Sequence, residues 1–125
     1  MSLAHTGVTV LIVEDDYLIA ETLRGFVEGM GHRVVGPVSS VRDALASLAG
    51  PVSIALVDIN LGTGKPITAL VAALHDAGIP FAFLSAYANA GSGPGLDGVP
   101  FYPKPISRAT AVEAVNMLLS DARLQ

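Results

Sequence analysis

The stretch Val8-Thr9-Val10-Leu11-Ile12-Val13-Glu14-Asp15-Asp16 sets a Val- and Ile-rich run directly against three acids. A short, nearly unbroken apolar run of this kind suits a strand covered on both faces. Similar runs recur at Arg33–Val38, Ser53–Val57, Pro80–Leu84 and, shorter, Val99–Tyr102. Between them the apolar residues return every three or four positions, the period of a helix with one buried face. Leu18, Ile19, Leu23, Phe26, Val27 and Met30 trace such a face from a start near Asp16 to a stop at Gly29 and Gly31. Val41, Ala44, Leu45 and Leu48 repeat it behind a Ser40-x-x-Asp43 start. Ile67, Leu70, Val71 and Leu74 follow, with Gly78 as a left-handed stop, and Val112, Val115, Leu118 and Leu119 form the last helix behind Ser107.

Strand-helix alternation of this sort predicts an α/β fold: a doubly wound, five-stranded parallel sheet whose right-handed crossovers stack helices on both faces. One segment breaks the rhythm. Ala88–Gly98 holds four glycines and a proline, and each glycine disfavours a helix by about 1 kcal/mol. The fourth helix is therefore expected to be short or irregular.

At 125 residues the chain is expected to form one domain over 1–125, with 1–6 as an N-terminal tail. With 51% apolar and 14% charged residues it can bury a full core. Its 7 basic and 11 acidic residues give a net charge of -4, which argues against a nucleic-acid partner. The absence of cysteine excludes a disulfide scaffold, a thiolate zinc site and a cysteine nucleophile. No apolar run approaches the roughly 20 residues of a membrane span, and the N-terminus lacks a secretion signal. The expectation is a cytoplasmic protein with no membrane partner.

Ligands of doubly wound folds sit at the carboxyl ends of the strands. Strand one ends in Glu14-Asp15-Asp16, strand three in Asp58 and strand four in Ser85, while strand five leads into Lys104-Pro105. Taken singly, each acid is more simply a cap or a solvated side chain; convergence from four strands is what makes them a site. Two carboxylates 4 Å apart repel by up to about 4 kcal/mol at an effective dielectric of 20, so the cluster needs a cation or a proton. Oxygen donors without imidazole or thiolate favour Mg²⁺, which keeps several waters and leaves room for a phosphoryl group. Lys104 adds a positive charge and Ser85 a hydroxyl, a set suited to phosphoryl transfer. Asp58 is the expected nucleophile, forming an acyl phosphate, and must then be open to water.

The segments LIVEDD (Leu11–Asp16), LVDIN (Leu56–Asn60), FLSAYA (Phe83–Ala88) and YPKP (Tyr102–Pro105) together resemble the receiver domain of two-component response regulators, in order and over nearly the whole chain. The resemblance implies the flavodoxin-like (βα)5 receiver fold and a phosphorelay role, with Asp58 taking phosphate from a sensor histidine kinase or a phosphotransfer protein. It implies Glu14 and Asp15 as the metal-binding pair, with Asp58 and the backbone carbonyl of Asn60 completing the Mg²⁺ ligands. Ser85 becomes the hydroxyl that turns toward the phosphoryl group, with small Ala86 beside it. Lys104 pairs with that group, and the bond before Pro105 is cis. Asp16 falls outside the pair and reads as a helix cap.

Three departures accompany the resemblance. The aromatic switch position is Phe101, without a phenolic hydroxyl, and Tyr102 is one place too late. The stretch after Asn60 reads LGTGKP, where the family more often shows a proline and a later Asp-Gly. Ala88–Gly98 replaces much of the family's fourth helix, part of its output face.

The leading expectation is a stand-alone receiver that is no enzyme beyond self-catalysed phosphoryl acceptance and slow autodephosphorylation. It signals through an unidentified protein target, with homodimerisation left open. A phosphatase of the haloacid-dehalogenase type is the alternative, but Asn60 stands where that family carries its general acid. A receiver-like binding module that is never phosphorylated is the third. His5, His32 and His75 show no ligand spacing and read as structural or surface residues. Gly93, Gly95 and Gly98 match a dinucleotide fingerprint by letters alone, since they do not directly follow a strand and open no helix.

Overall fold

A computed structural model of the chain describes residues 7–61, 66–86 and 98–123. Its elements are β1 (Thr9–Val13), α1 (Tyr17–Gly29), β2 (Arg33–Val38), α2 (Val41–Ser47), β3 (Ile54–Asp58), α3 (Ile67–Ala77), β4 (Phe81–Ser85), β5 (Phe101–Pro103) and α4 (Arg108–Arg123). The five strands form one parallel sheet in the order β2-β1-β3-β4-β5. This is the expected doubly wound α/β architecture, with four helices among the described residues. Of the glycine-rich Ala88–Gly98 only Gly98, at a φ of 82°, falls within them; the expected irregular fourth helix and the tail 1–6 lie outside.

Side chains alternate across a strand, and here the alternation divides the core in two. Val10, Ile12, Ile54, Leu56, Ala82, Leu84 and Tyr102 face Leu23 and Val27 of α1 and Val115 and Leu118 of α4. Leu11, Val13, Ala55, Val57, Phe81 and Phe83 face Val41 and Ala44 of α2 and Leu70, Val71 and Leu74 of α3. Strands β1, β3 and β4 are buried along their whole length, as continuous apolar runs require.

β2 is only half-covered because it forms the edge of the sheet. Its register against β1 shifts between Leu11 and Val13, around Gly36 at a φ of 91°. A Cβ on Gly36 would lie 2.5 Å from the backbone nitrogen of Val38, so this turn of the edge strand admits only glycine.

The caps act as the sequence indicates. Asp16 Oδ1 accepts the Ile19 N–H at 3.0 Å, Ser40 Oγ the Asp43 N–H at 3.0 Å, and Ser107 Oγ the Thr110 N–H at 3.1 Å. Gly78 ends α3 in the left-handed region, at a φ of 69°. Among the described residues no helix is long and apolar enough to cross a membrane.

Candidate functional site

Glu14, Asp58, Ser85 and Lys104 all emerge at the carboxyl edge of the sheet, at or just past the ends of β1, β3, β4 and β5. Carboxylate oxygens of Glu14, Asp15 and Asp58 lie within 4.8 Å of one another. Lys104 Nζ lies 2.7 Å from Glu14 Oε1 and 3.4 Å from Asp58 Oδ2. The strand ends are tied laterally: the Glu14 N–H donates to Val38 O at 2.9 Å, the Ile59 N–H to Leu84 O at 3.1 Å and the Lys104 N–H to Ser85 O at 2.7 Å. Four side chains far apart in number are thus held by one hydrogen-bonded backbone edge.

Strand alternation sorts the site as it sorts the core. Asp58 continues the Ile54, Leu56 series toward α1 and α4, and Ser85 continues the Phe81, Phe83 series toward α2 and α3. Ser85 is fully buried. Asn60 spans the two sides. Its backbone N–H donates to Asp58 Oδ1 at 2.9 Å, and its side-chain Nδ2 donates to Ser85 Oγ at 3.3 Å.

Burial sets the electrostatics. The Glu14 side chain has no exposed surface. Loss of hydration raises its pKa, the Lys104 contact and the Asp16 N–H on Oε2 at 3.1 Å oppose that, and the Asp58 charge adds to it; the net direction is up. For Lys104, burial alone would lower the pKa, but contact with Glu14 and the charges of Asp58 and Glu14 outweigh it and the net direction is also up. The ammonium is therefore firmly charged, while one ammonium does not fully offset the burial of Glu14.

Glu14 Oε1 is buried, and the Lys104 ammonium 2.7 Å away makes a charge-assisted contact with it. Three carboxylates, the buried Glu14 and Asp58 and the exposed Asp15, converge around one ammonium, and that excess of oxygen donors and negative charge fits a hard cation. The cluster has the donor chemistry to bind a metal ion.

One expectation is corrected. Asp58 is not open to water: it is only 3% exposed, because the Lys104 ammonium lies against Oδ2 and the Asn60 backbone caps Oδ1. Other placements agree with the sequence reading. Asp16 is the cap of α1, the Lys104–Pro105 bond is cis, and Phe101 is half-buried against the α2/α3 cluster while Tyr102 points to the opposite one. His32 is structural, its Nδ1 accepting the Val8 N–H at 3.1 Å. The side-chain role of Asn60 and the Glu14–Lys104 ion pair went unread. Strand parity was the available signal for the first, since it separates Ser85 from Asp58.

No protein-family model matches the chain. The phyllosphere-induced regulator PhyR of Methylorubrum extorquens is 34% identical over 87 residues, 67% of this chain and 33% of PhyR. SdrG of Sphingomonas melonis Fr1 has a solution structure similar to this one, with a TM-score of 0.78 and 32% identity over 90% of this chain and 97% of SdrG. The crystal structure of the response regulator PhyR from Brucella abortus matches with a TM-score of 0.81 and 29% identity, over 94% of this chain and 50% of that one. The chain belongs to the response-regulator receiver family. It is PhyR-like, spanning 33% of the length of the curated PhyR it matches.

Proposed function

We propose that this receiver accepts a phosphoryl group on Asp58 from the phosphohistidine of a sensor histidine kinase or phosphotransfer protein in the cytoplasm. An Asp58 carboxylate oxygen attacks phosphorus, the P–N bond to the donor imidazole breaks, and that ring keeps the electron pair. The product is an aspartyl phosphate, with no net redox change.

The observation that carries this reading is the meeting of three carboxylates within 4.8 Å, with a lysine ammonium 3.4 Å from the central one. Lys104 is already charged and in place to balance the incoming phosphoryl oxygens. Glu14, Asp15, Asp58 and the Asn60 carbonyl are the residues that would hold Mg²⁺, which when bound would neutralise further phosphoryl charge. Because Asp58 is nearly closed off, transfer requires the neighbouring side chains to part as the donor docks. Beside the site, Leu18, Ile19, Leu23, Pro105 and Ile106 line an apolar groove of about 440 Å³ that reaches Lys104. Leu18 is 75% exposed. This groove is suited to seat the donor protein.

The added charge of about -1.5 to -2 biases the surrounding loops, with Ser85 and Phe101 as the switching side chains, and the readout is a protein contact. A phosphatase would need an acid where Asn60 stands, and Asn60 holds Ser85 instead. Turnover is therefore limited to slow autodephosphorylation.

The test is incubation with Mg²⁺ and acetyl phosphate, followed by intact mass. The wild type should gain one phosphoryl group, chelation of the metal should prevent it, and Asp58→Asn should gain none. An unchanged wild-type mass, or an equal gain in Asp58→Asn, would overturn the reading, and sustained hydrolysis of p-nitrophenyl phosphate would favour the phosphatase.

A further inference from the structure

We infer that the Asn60 carboxamide is a positioning group that latches the Ser85 hydroxyl and thereby sets the bias between two arrangements of the site. The inference rests on the phosphoacceptor reading of Asp58 and adds how the response is regulated.

Ser85 is fully buried and Asn60 is an exposed residue. Their 3.3 Å contact therefore means that a surface carboxamide folds inward onto a hydroxyl. The same residue, two places past Asp58, binds Asp58 Oδ1 through its backbone. Any movement of the hydroxyl relative to the carboxylate is thus registered at a single residue.

Strand parity supplies the need for such a latch. Ser85 and Asp58 leave neighbouring strands on opposite sides of the sheet, so the hydroxyl must turn to meet a phosphoryl group on Asp58. Turning carries Oγ away from Asn60 and gives up their hydrogen bond. At 3.3 Å that bond lies just beyond the usual N–H···O range of about 2.7–3.2 Å, a weak tie that favours one rotamer and yields readily. A ligand that favours the turned arrangement then works against the latch, and removing the latch strengthens that ligand's binding.

The probe is beryllium trifluoride with Mg²⁺, a non-covalent stand-in for the phosphoryl group, titrated by ¹H–¹⁵N NMR. Asn60→Ala keeps the backbone N–H and carbonyl and removes only the carboxamide. It should bind the probe about two- to tenfold more tightly than wild type, the range of one neutral hydrogen bond. In a Ser85→Ala background the same substitution should change nothing. The Asn60 side-chain amide resonance should move on saturation of the wild type toward its position in Ser85→Ala. Equal or weaker binding by Asn60→Ala, the same gain in Ser85→Ala, or an immobile amide resonance would each overturn the latch while wild-type binding left the phosphoacceptor reading intact. Should the wild type bind no probe and take no phosphate from acetyl phosphate, both ideas fall together.

Discussion

The two sides of the sheet's carboxyl edge are built differently. On the α1/α4 side Glu14, Asp58 and Lys104 are locked by ion pairs of 2.7 and 3.4 Å in a nearly closed pocket. On the α2/α3 side Ser85 Oγ accepts a hydrogen bond from Asn60 Nδ2 at 3.3 Å, beside a half-buried Phe101. The first side holds charge rigidly, as chemistry on a phosphoryl group demands. On the second, the Asn60–Ser85 contact is a long hydrogen bond between neutral groups, which can rearrange at smaller cost than an ion pair. The division follows from side-chain alternation along β3 and β4, so it is set before any loop is placed.

Substitutions should therefore separate chemistry from switching. Asp58→Asn has the largest expected effect, complete loss of phosphoryl incorporation with the fold retained, checked by mass and circular dichroism. Lys104→Met comes next. It removes the cation between two buried carboxylates, and labelling should slow by about 100-fold or more. Stability at pH 7 should fall by about 3 kcal/mol, measured by urea unfolding. Burial already raises the Glu14 pKa and Lys104 opposes the rise, so in this variant the folded state holds a proton more tightly than the unfolded one. Part of the lost stability should return as pH falls toward the ordinary glutamate range and disappear again as pH rises.

On the other side Ser85→Ala should keep phosphoryl incorporation within about tenfold of wild type, while losing the response of the Asn60 amide. A drop as deep as that of Lys104→Met would contradict the division. The smallest effect is expected at the opposite end of the sheet. Burial lowers the pKa of His32, whose Nδ1 accepts the Val8 N–H. Its contribution is full above the free-histidine value of about 6.5 and lost as pH falls through the lowered value. His32→Gln should flatten that part of the melting-temperature profile and leave phosphoryl incorporation unchanged.

Much of this was legible in the chain. The runs at Val8–Val13, Ser53–Val57 and Pro80–Leu84 announced buried parallel strands because no polar alternate interrupts them, apart from Thr9 near the start of the first and Ser53 at the start of the second. Ser40, Ser107 and Gly78 marked helix ends because their local chemistry admits few other uses. Convergence of Glu14, Asp58, Ser85 and Lys104 followed from topology alone. Depth did not. The burial of Asp58 depends on where the Lys104 stem and the Asn60 backbone lie, which no periodicity encodes. The Asn60–Ser85 contact joins residues 25 apart, one of them in a loop, and only the parity of two adjacent strands hinted at it.

The central claim is that one carboxylate, Asp58, carries the phosphoryl group. Borohydride reduces an aspartyl phosphate to homoserine, so treating the acetyl phosphate-labelled protein and sequencing its peptides by mass spectrometry locates the acceptor. The account predicts homoserine at position 58 alone, dependent on Mg²⁺. Homoserine at position 15 or 16, 2-amino-5-hydroxypentanoic acid (the reduction product of a glutamyl phosphate) at position 14, or phosphate retained on a residue that borohydride leaves untouched, would contradict it.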